Sequence, residues 1–244
     1  NYNNIDVEFV EVKNRNLQKY KTRNHISSAA YAKIYICDLI RLDRAIYLDC
    51  DLILNTDIAE LWNEFEIGCC IKAVWNPFYD YDNKYLGIKD GKRTFNSGVM
   101  LMNLDLMRKK ESSKKLESFL NDFHDKTKLH DQAAFNAVFK DDWRELDLVW
   151  NCQVSMLQND RKKLIISKEK YIQLYRNPKI IHFTSNSKPW QFRNGHPHKK
   201  VYQKYYKEIF GDIEYNDISI KSFLQVIREV LRYKYYYILN TKIY

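Results

Sequence analysis

Read for its pattern of apolar and polar positions, the chain alternates short hydrophobic runs with helical spacings. IDVEFVEV, Ile5 to Val12, alternates well enough to predict an opening strand, and the polar KNRNLQKYKTRN after it predicts a loop. From Ser27, with Ser27 or Ser28 as the cap, AAYAKIYICDLI places Ala30, Ile34 and Asp38 at helical spacing. AIYLDCDLIL, Ala45 to Leu54, is an apolar run that leads into two aspartates separated by one residue, and it reads as a buried strand. In NTDIAELWNEF, Asn55 or Thr56 can cap a short helix that buries Ile58, Leu61, Trp62 and Phe65. IGCCIKAVW predicts another buried strand, NPFYDYDNKYLGIKDGKR a surface loop, and FNSGVMLMNLD a third apolar run, ending at Asp105 before a charged helix from roughly Met107 to Asp125. A further helix, DQAAFNAVF, leads through DDWRELDLVWN to the strand KIIHFT, Lys179 to Thr184. Strands that alternate with helices predict an α/β fold. The pattern predicts one domain to about Phe210 and a separate segment, 211–244, after it.

That last segment carries Ile220, Leu224, Ile227, Leu231, Tyr235 and Ile238 at helical spacing, with Lys221, Arg228 and Arg232 read on the opposite side. A basic, Tyr-rich amphipathic helix suits either the surface of a membrane or packing against its own domain or a second copy.

With 244 residues, 45% of them hydrophobic and 29% charged, the chain can bury a sizeable core and is neither disordered nor fibrous. Its net charge of +9 points to an anionic partner: nucleic acid, a membrane surface or a phosphorylated small molecule. The basic residues are scattered and no nucleic-acid motif is present, so nucleic acid is not expected as a partner. The five cysteines show no C-x-x-C spacing, which predicts neither a disulfide framework nor a zinc site and fits a reducing cytoplasm. No apolar run approaches the ~20 residues of a spanning helix, and no signal pattern is visible.

The chemistry concentrates at Asp49 and Asp51. Two carboxylates at i and i+2, where a strand gives way to a loop, can approach one hard cation, Mn²⁺ or Mg²⁺, and open α/β sheets bind ligands beyond the C-terminal ends of their strands. The same spacing at Asp80 and Asp82 has no strand ahead of it and reads as a solvated loop. A D-x-D at a strand end suits two chemistries. One is a phosphatase of the haloacid dehalogenase type, with Asp141 and Asp142 as its later acidic pair; the other is a sugar-nucleotide transferase.

Five segments in order, HISSAAYAKIYICDLI, RAIYLDCDLILNTDIAELW, FNSGVMLMNLDLMR, HDQAAFNAVF and IIHFTSNSKPW, resemble the retaining glycosyltransferases of family 8, which include lipopolysaccharide galactosyl- and glucosyltransferases and glycogenin. The resemblance runs from about Ile5 to Trp190. It implies a GT-A α/β fold, a mixed sheet flanked by helices, to which the spacing of the tail, outside the matched segments, adds a C-terminal helical appendage; it also implies transfer of galactose or glucose from a UDP-sugar to a glycan or lipid-linked saccharide acceptor. It implies Asp49, Asp51 and His182 as ligands of Mn²⁺ or Mg²⁺, Lys188 against the diphosphate, and Lys33, where an Arg is frequent, assisting the donor. Asn96, Asp131 and Gln132 would contact the donor sugar, with Gln132 too poor a nucleophile for double displacement, which favours departure and attack on one face of the sugar. The family's first βα unit, with its uracil-binding loop, has no counterpart in these residues, so a catalytically silent sugar-nucleotide or glycan binder stands beside the phosphatase as an alternative. The expected location is cytoplasmic, with peripheral contact on the inner face of a bacterial membrane through the tail.

Overall fold

The structure, a computed structural model, describes residues 6–13, 17–20, 28–78, 83–89 and 91–242. Its strands are β1 (Arg44–Leu48), β2 (Leu52–Leu54), β3 (Ile71–Trp75), β4 (Phe95–Asn103), β5 (Trp143–Glu145), β6 (Cys152–Gln153) and β7 (Ile180–His182). They form a four-stranded sheet in the order β1-β4-β3-β5 and a three-stranded sheet in the order β2-β7-β6. β4 is antiparallel to both β1 and β3, while β3–β5 and β6–β7 are parallel pairs, so both sheets are mixed.

β4 explains why its sequence is apolar without alternation. Met100 and Met102 enter one core with Ile34, Ile71, Phe95, Leu116 and Phe135, whereas Val99 and Leu101 enter a second with Leu61, Val74, Trp150, Leu157 and Ile180. The side chains still alternate with period two, but both faces are covered. The first core lies under the helices α1 (Leu104–Lys109), α2 (Ser112–Phe123) and α3 (His130–Phe139); the second lies under α4 (Lys168–Arg176). Beyond these come α5 (Lys199–Phe210) and α6 (Ile220–Thr241).

Several boundaries differ from expectation for identifiable reasons. Residues 6–12 form no strand, with Phe9 95% exposed and no neighbouring strand among the described residues to take the backbone groups; Ile5 lies outside the described residues. The Ser28–Tyr35 segment is a 3-10 helix that widens into an α-turn only at Ile36–Leu39, and Ser27 lies outside the described residues. The helix at Ile58–Trp62 is capped by Asp57, which accepts from Ala59 N at 2.8 Å, rather than by Asn55 or Thr56, because Asp57 is the residue with extended backbone immediately before the first turn. Leu61 in that helix is fully buried, while Ile58 and Trp62 are exposed. The charged helix expected from Met107 is two helices, parted where Glu111 adopts a left-handed conformation (φ 52°). The second acidic pair, Asp80 and Asp82, lies outside the described residues.

α6 sits differently from its sequence pattern. Ser222, Tyr233 and Asn240 are buried, and Tyr233 completes the second core. Asn240 accepts from Arg161 N at 2.8 Å and donates to Asn159 O at 2.9 Å, fastening the helix end. The apolar stripe of Ile220, Leu224, Ile227, Leu231, Tyr235 and Ile238 faces solvent. Lys221, Arg228 and Arg232 flank that stripe, about 80–120° round the helix from Ile220 at 100° per residue, rather than opposing it. No helix among the described residues is long and apolar enough to cross a membrane.

Beneath α6, the His196 ring packs edge-on to Phe183 (4.8 Å) and Tyr233 (5.3 Å). Burial, reinforced by the neighbouring His198, holds its imidazole well below the usual range, and burial also lowers His198. An unfolded histidine titrates near 6.5. Below that pH the unfolded chain takes up protons that the native state refuses, so stability falls on acidification by up to about 1.4 kcal/mol per pH unit for each histidine. The urea midpoint should therefore drop between about pH 6.5 and 5, less steeply in His196→Gln; a midpoint indifferent to pH in this window would contradict the buried neutral state.

Candidate active site

AIYLDCDLIL is two strands with a corner between them. β1 ends at Leu48 in the larger sheet, β2 begins at Leu52 in the smaller, and Asp49-Cys50-Asp51 crosses from one to the other. Backbone hydrogen bonds hold both sides of the crossing: Asp49 N donates to Gly98 O of β4 at 2.8 Å, and Phe183 N donates to Asp51 O at 3.0 Å. Leu52 pairs with His182 in the β2–β7 register, which brings β7's last side chain to the corner from far along the chain.

The result is the cluster of Asp49, Asp51 and His182, one ligand atom from each lying within 4.8 Å of the others. His182 Nε2 is 3.1 Å from Asp51 Oδ1 and 3.8 Å from Asp49 Oδ2. Its Nδ1 meets Asn151 Oδ1 at 2.8 Å, so donation from Nδ1 leaves Nε2 to face the carboxylates. Gly98 makes the cradle: a Cβ there would stand 2.3 Å from His182 Cε1 and 2.6 Å from Asp49 Oδ2. Two carboxylates and one imidazole form a donor set suited to a divalent cation such as Mn²⁺, and the fit rests on this convergence and on the close backbone. Cys50 is exposed and outside the cluster.

Lys188 reaches Asp51 Oδ2 at 2.5 Å and donates to Phe183 O at 2.7 Å. Burial works against the charge on Asp51, but its contact with His182 and the charge and hydrogen bond of Lys188 prevail and hold its carboxyl well below the usual range. On the other flank, Lys33 Nζ lies 2.6 Å from Asp131 Oδ2 and 3.6 Å from Asp49 Oδ1, and donates to Ser97 Oγ at 3.1 Å. Burial opposes the Lys33 charge, yet the neighbouring Asp131 and Asp49 carboxylates outweigh it and raise its pKa above the usual lysine range. Tyr47 OH donates to Asp49 Oδ1 at 2.8 Å beneath it.

The sugar-contact candidates join the same network. Gln132 Oε1 accepts from Asn96 Nδ2 and from Ser97 N, each at 3.1 Å. Asn96 Oδ1 accepts from Asn151 Nδ2 at 2.9 Å, and Asn151 in turn meets His182. A continuous polar network therefore runs from Asp49 through Lys33, Asp131, Ser97, Gln132, Asn96, Asn151 and His182 to Asp51 and Lys188. Every site residue that the family resemblance implied lies on it. Ser97, Tyr47, Gly98 and Asn151 were missed; only Gly98, inside an otherwise apolar run, carried a signal, since a glycine in a strand marks close approach.

Asp141 and Asp142 lie elsewhere. Asp142 pairs with Lys110 at 2.6 Å and accepts from Cys70 N at 3.3 Å, and Cys70 O accepts from Asn103 N at the far end of β4. Gly98 and Asn103 are separated by roughly 17 Å of strand at ~3.4 Å per residue, so the acidic pair of a phosphatase does not meet Asp49 and Asp51.

The segment bearing Lys188 is held from the C-terminal side. Asp217 accepts from Phe192 N at 2.7 Å and from Arg193 N at 3.2 Å, and Glu229 of α6 accepts from Gly195 N at 2.7 Å. A Cβ at Gly195 would stand 2.7 Å from Glu229 Cβ, so α6 lies directly on this loop.

Mixed sheets flanked by helices, with a D-x-D corner at their junction, define a GT-A-type glycosyltransferase fold. The family model of Glycosyl transferase family 8 matches residues 1–194, and the chain belongs to that family. It is 33% identical over 207 residues to General stress protein A of Bacillus subtilis (strain 168), covering 82% of this chain and 72% of that protein. It is 29% identical over 214 residues to the glycosyltransferase GlyD of Streptococcus pneumoniae serotype 4, covering 82% of this chain but 23% of GlyD. The solved galactosyltransferase LgtC, in complex with donor and acceptor sugar analogues, is similar in fold, with a TM-score of 0.71 over 89% of this chain and 78% of that one at 18% identity. The Streptococcus pneumoniae glycosyltransferase GlyE gives a TM-score of 0.53 at 26% identity, over 71% of this chain and 42% of that one.

Proposed function

We propose that the protein is a retaining hexosyltransferase that moves galactose or glucose from a UDP-sugar to a glycan or lipid-linked saccharide, with residues 1–210 as the transferase domain. The observation that carries this reading is the convergence of Asp49, Asp51 and His182 within 4.8 Å, with Lys188 against Asp51, in a chain of this family. These three residues would hold Mn²⁺ or Mg²⁺, which when bound supplies positive charge to offset that of a departing diphosphate. Lys188 adds a compact cation on the same side. Asp131, neutralised by Lys33 at 2.6 Å, is suited to accept hydrogen bonds from sugar hydroxyls rather than to attack carbon. Gln132 presents an amide held by Asn96 and Ser97, so the far face of the sugar lacks the carboxylate nucleophile of a double displacement. The acceptor hydroxyl then attacks from the face that UDP leaves, giving its proton to the leaving phosphate, while Gln132 and Asn96 steady the sugar as positive charge develops.

UDP release from UDP-galactose and UDP-glucose with added Mn²⁺ tests this reading. The wild type should release UDP, and Asp51→Asn should reduce the rate at least about 10²-fold. Gln132→Ala should lower kcat with donor and acceptor saturating. Phosphate release from a monoester without UDP release would overturn the reading in favour of a phosphatase, and a near-normal kcat in Gln132→Ala would remove that residue's role.

The outward stripe of α6, flanked by Lys221, Arg228 and Arg232 in a chain of net charge +9, suits an anionic lipid surface and supports the reading of peripheral contact with the cytoplasmic face of a bacterial membrane that presents a lipid-linked acceptor. The protein should sediment with vesicles containing phosphatidylglycerol and not with pure phosphatidylcholine, and Leu224→Glu combined with Leu231→Glu should abolish this. Concentration-dependent dimers that do not bind vesicles would show that a second copy covers the stripe instead.

A further inference from the structure

Outside the polar network, the turn after Lys188, the helix α5 and the segment 213–217 enclose an open groove of about 440 Å³. One wall is aromatic. Trp190 meets Tyr202 at 5.9 Å between ring centroids and Tyr202 meets Tyr206 at 6.0 Å, with Phe210 5.1 Å further on. Tyr202, Tyr206 and Phe210 fall at i, i+4 and i+8 of α5, which sets them in a row on one face, and Trp190 extends that row toward Lys188. Trp190 is 40% exposed and both tyrosines are half-buried, so their faces are open to a ligand.

The other wall is polar and acidic. Glu214, Asn216 and Asp217 line it. Asp217 is committed to the Phe192 and Arg193 amides, which fixes the shape of the groove's edge. Glu214 and Asn216 are exposed and make no hydrogen bond to other described residues, so their acceptors remain available.

A row of aromatic faces opposite carboxylate and amide groups matches the two-sided chemistry of a pyranose, which offers an apolar C–H face to stack and an edge of hydroxyls to pair. Charge selects among ligands: no lysine or arginine lines the groove, whereas the Glu214 carboxylate does, beside an Asp217 that Arg193 Nε approaches at 3.9 Å, so the lining offers a phosphate no cation of its own within a chain that is otherwise basic. A UDP-sugar does not fit this chemistry; a neutral saccharide does. The groove also opens two residues from Lys188, whose amine is 2.5 Å from Asp51, and so leads away from the metal cluster.

We propose that this groove is a subsite for the acceptor, holding neutral sugar units beyond the one that is glycosylated. The assignment to an acceptor rests on the transferase reading above, whereas saccharide binding itself does not. The test is binding of the full chain, without any sugar nucleotide, to an array of neutral saccharides from one to five units and to phosphorylated saccharides of equal length. Wild type should retain neutral oligosaccharides more tightly as length grows. Tyr206→Ala should weaken retention of the longer ones about tenfold, and Tyr206→Phe, which keeps the ring, should restore it. The proposal is overturned if no neutral saccharide is retained, if Tyr206→Ala binds as the wild type does, or if phosphorylated saccharides bind in preference. UDP release by the wild type separates the two readings: Tyr206-dependent saccharide binding without UDP release would leave the groove standing and remove the donor site.

Discussion

The structure depends on a corner. Three residues carry the chain from one sheet into another, and a crossing of this kind leaves backbone groups without ladder partners unless both sheets supply them. Here Gly98 O and Phe183 N do so, one from each sheet. The same bonds that satisfy the backbone aim Asp49 and Asp51 to one side, and the β2–β7 register places His182 between them. Three potential ligands therefore meet through main-chain geometry rather than through flexible side chains.

Such a concentration of carboxylates is costly when buried, and the surrounding residues answer that cost with charge and hydrogen bonds. Lys188 serves Asp51 while Lys33 bridges Asp49 and Asp131. Asn151, fully buried, links the imidazole to the amide chain of Asn96 and Gln132. The C-terminal segment belongs to this support. Asp217 and Glu229 fasten the turn that carries Lys188, so α6 is part of the site's scaffold as well as a surface element.

Much of this was legible in the sequence because the relevant signals are local. The runs AIYL, IKAVW and FNSGVMLMN announce strands by composition, and the D-x-D, HDQ and HFTSNSKPW segments carry their polar residues in a recognisable order. What escaped was set by tertiary partners. IDVEFVEV alternates like a strand, but among the described residues no strand pairs with it and only Val12 packs against the first core, and periodicity cannot report whether a strand partner exists. The two-strand reading of AIYLDCDLIL requires knowing that β2 pairs with β7, a contact more than a hundred residues away. Asn151 shows no pattern of its own in LDLVWN; its importance comes from standing between Asn96 and His182. The stripe on α6 was visible, but which face met the domain was not, because Tyr233 and Asn240 make a polar and aromatic contact that hydrophobic spacing does not count.

The central claim is that the corner and β7 together build one divalent-cation site. Crystals of the full chain soaked in Mn²⁺ and measured at the manganese absorption edge test it directly. The account predicts an anomalous peak bounded by the Asp49 and Asp51 carboxylates and His182 Nε2. A peak elsewhere, or one at the carboxylates with His182 uninvolved, would contradict it.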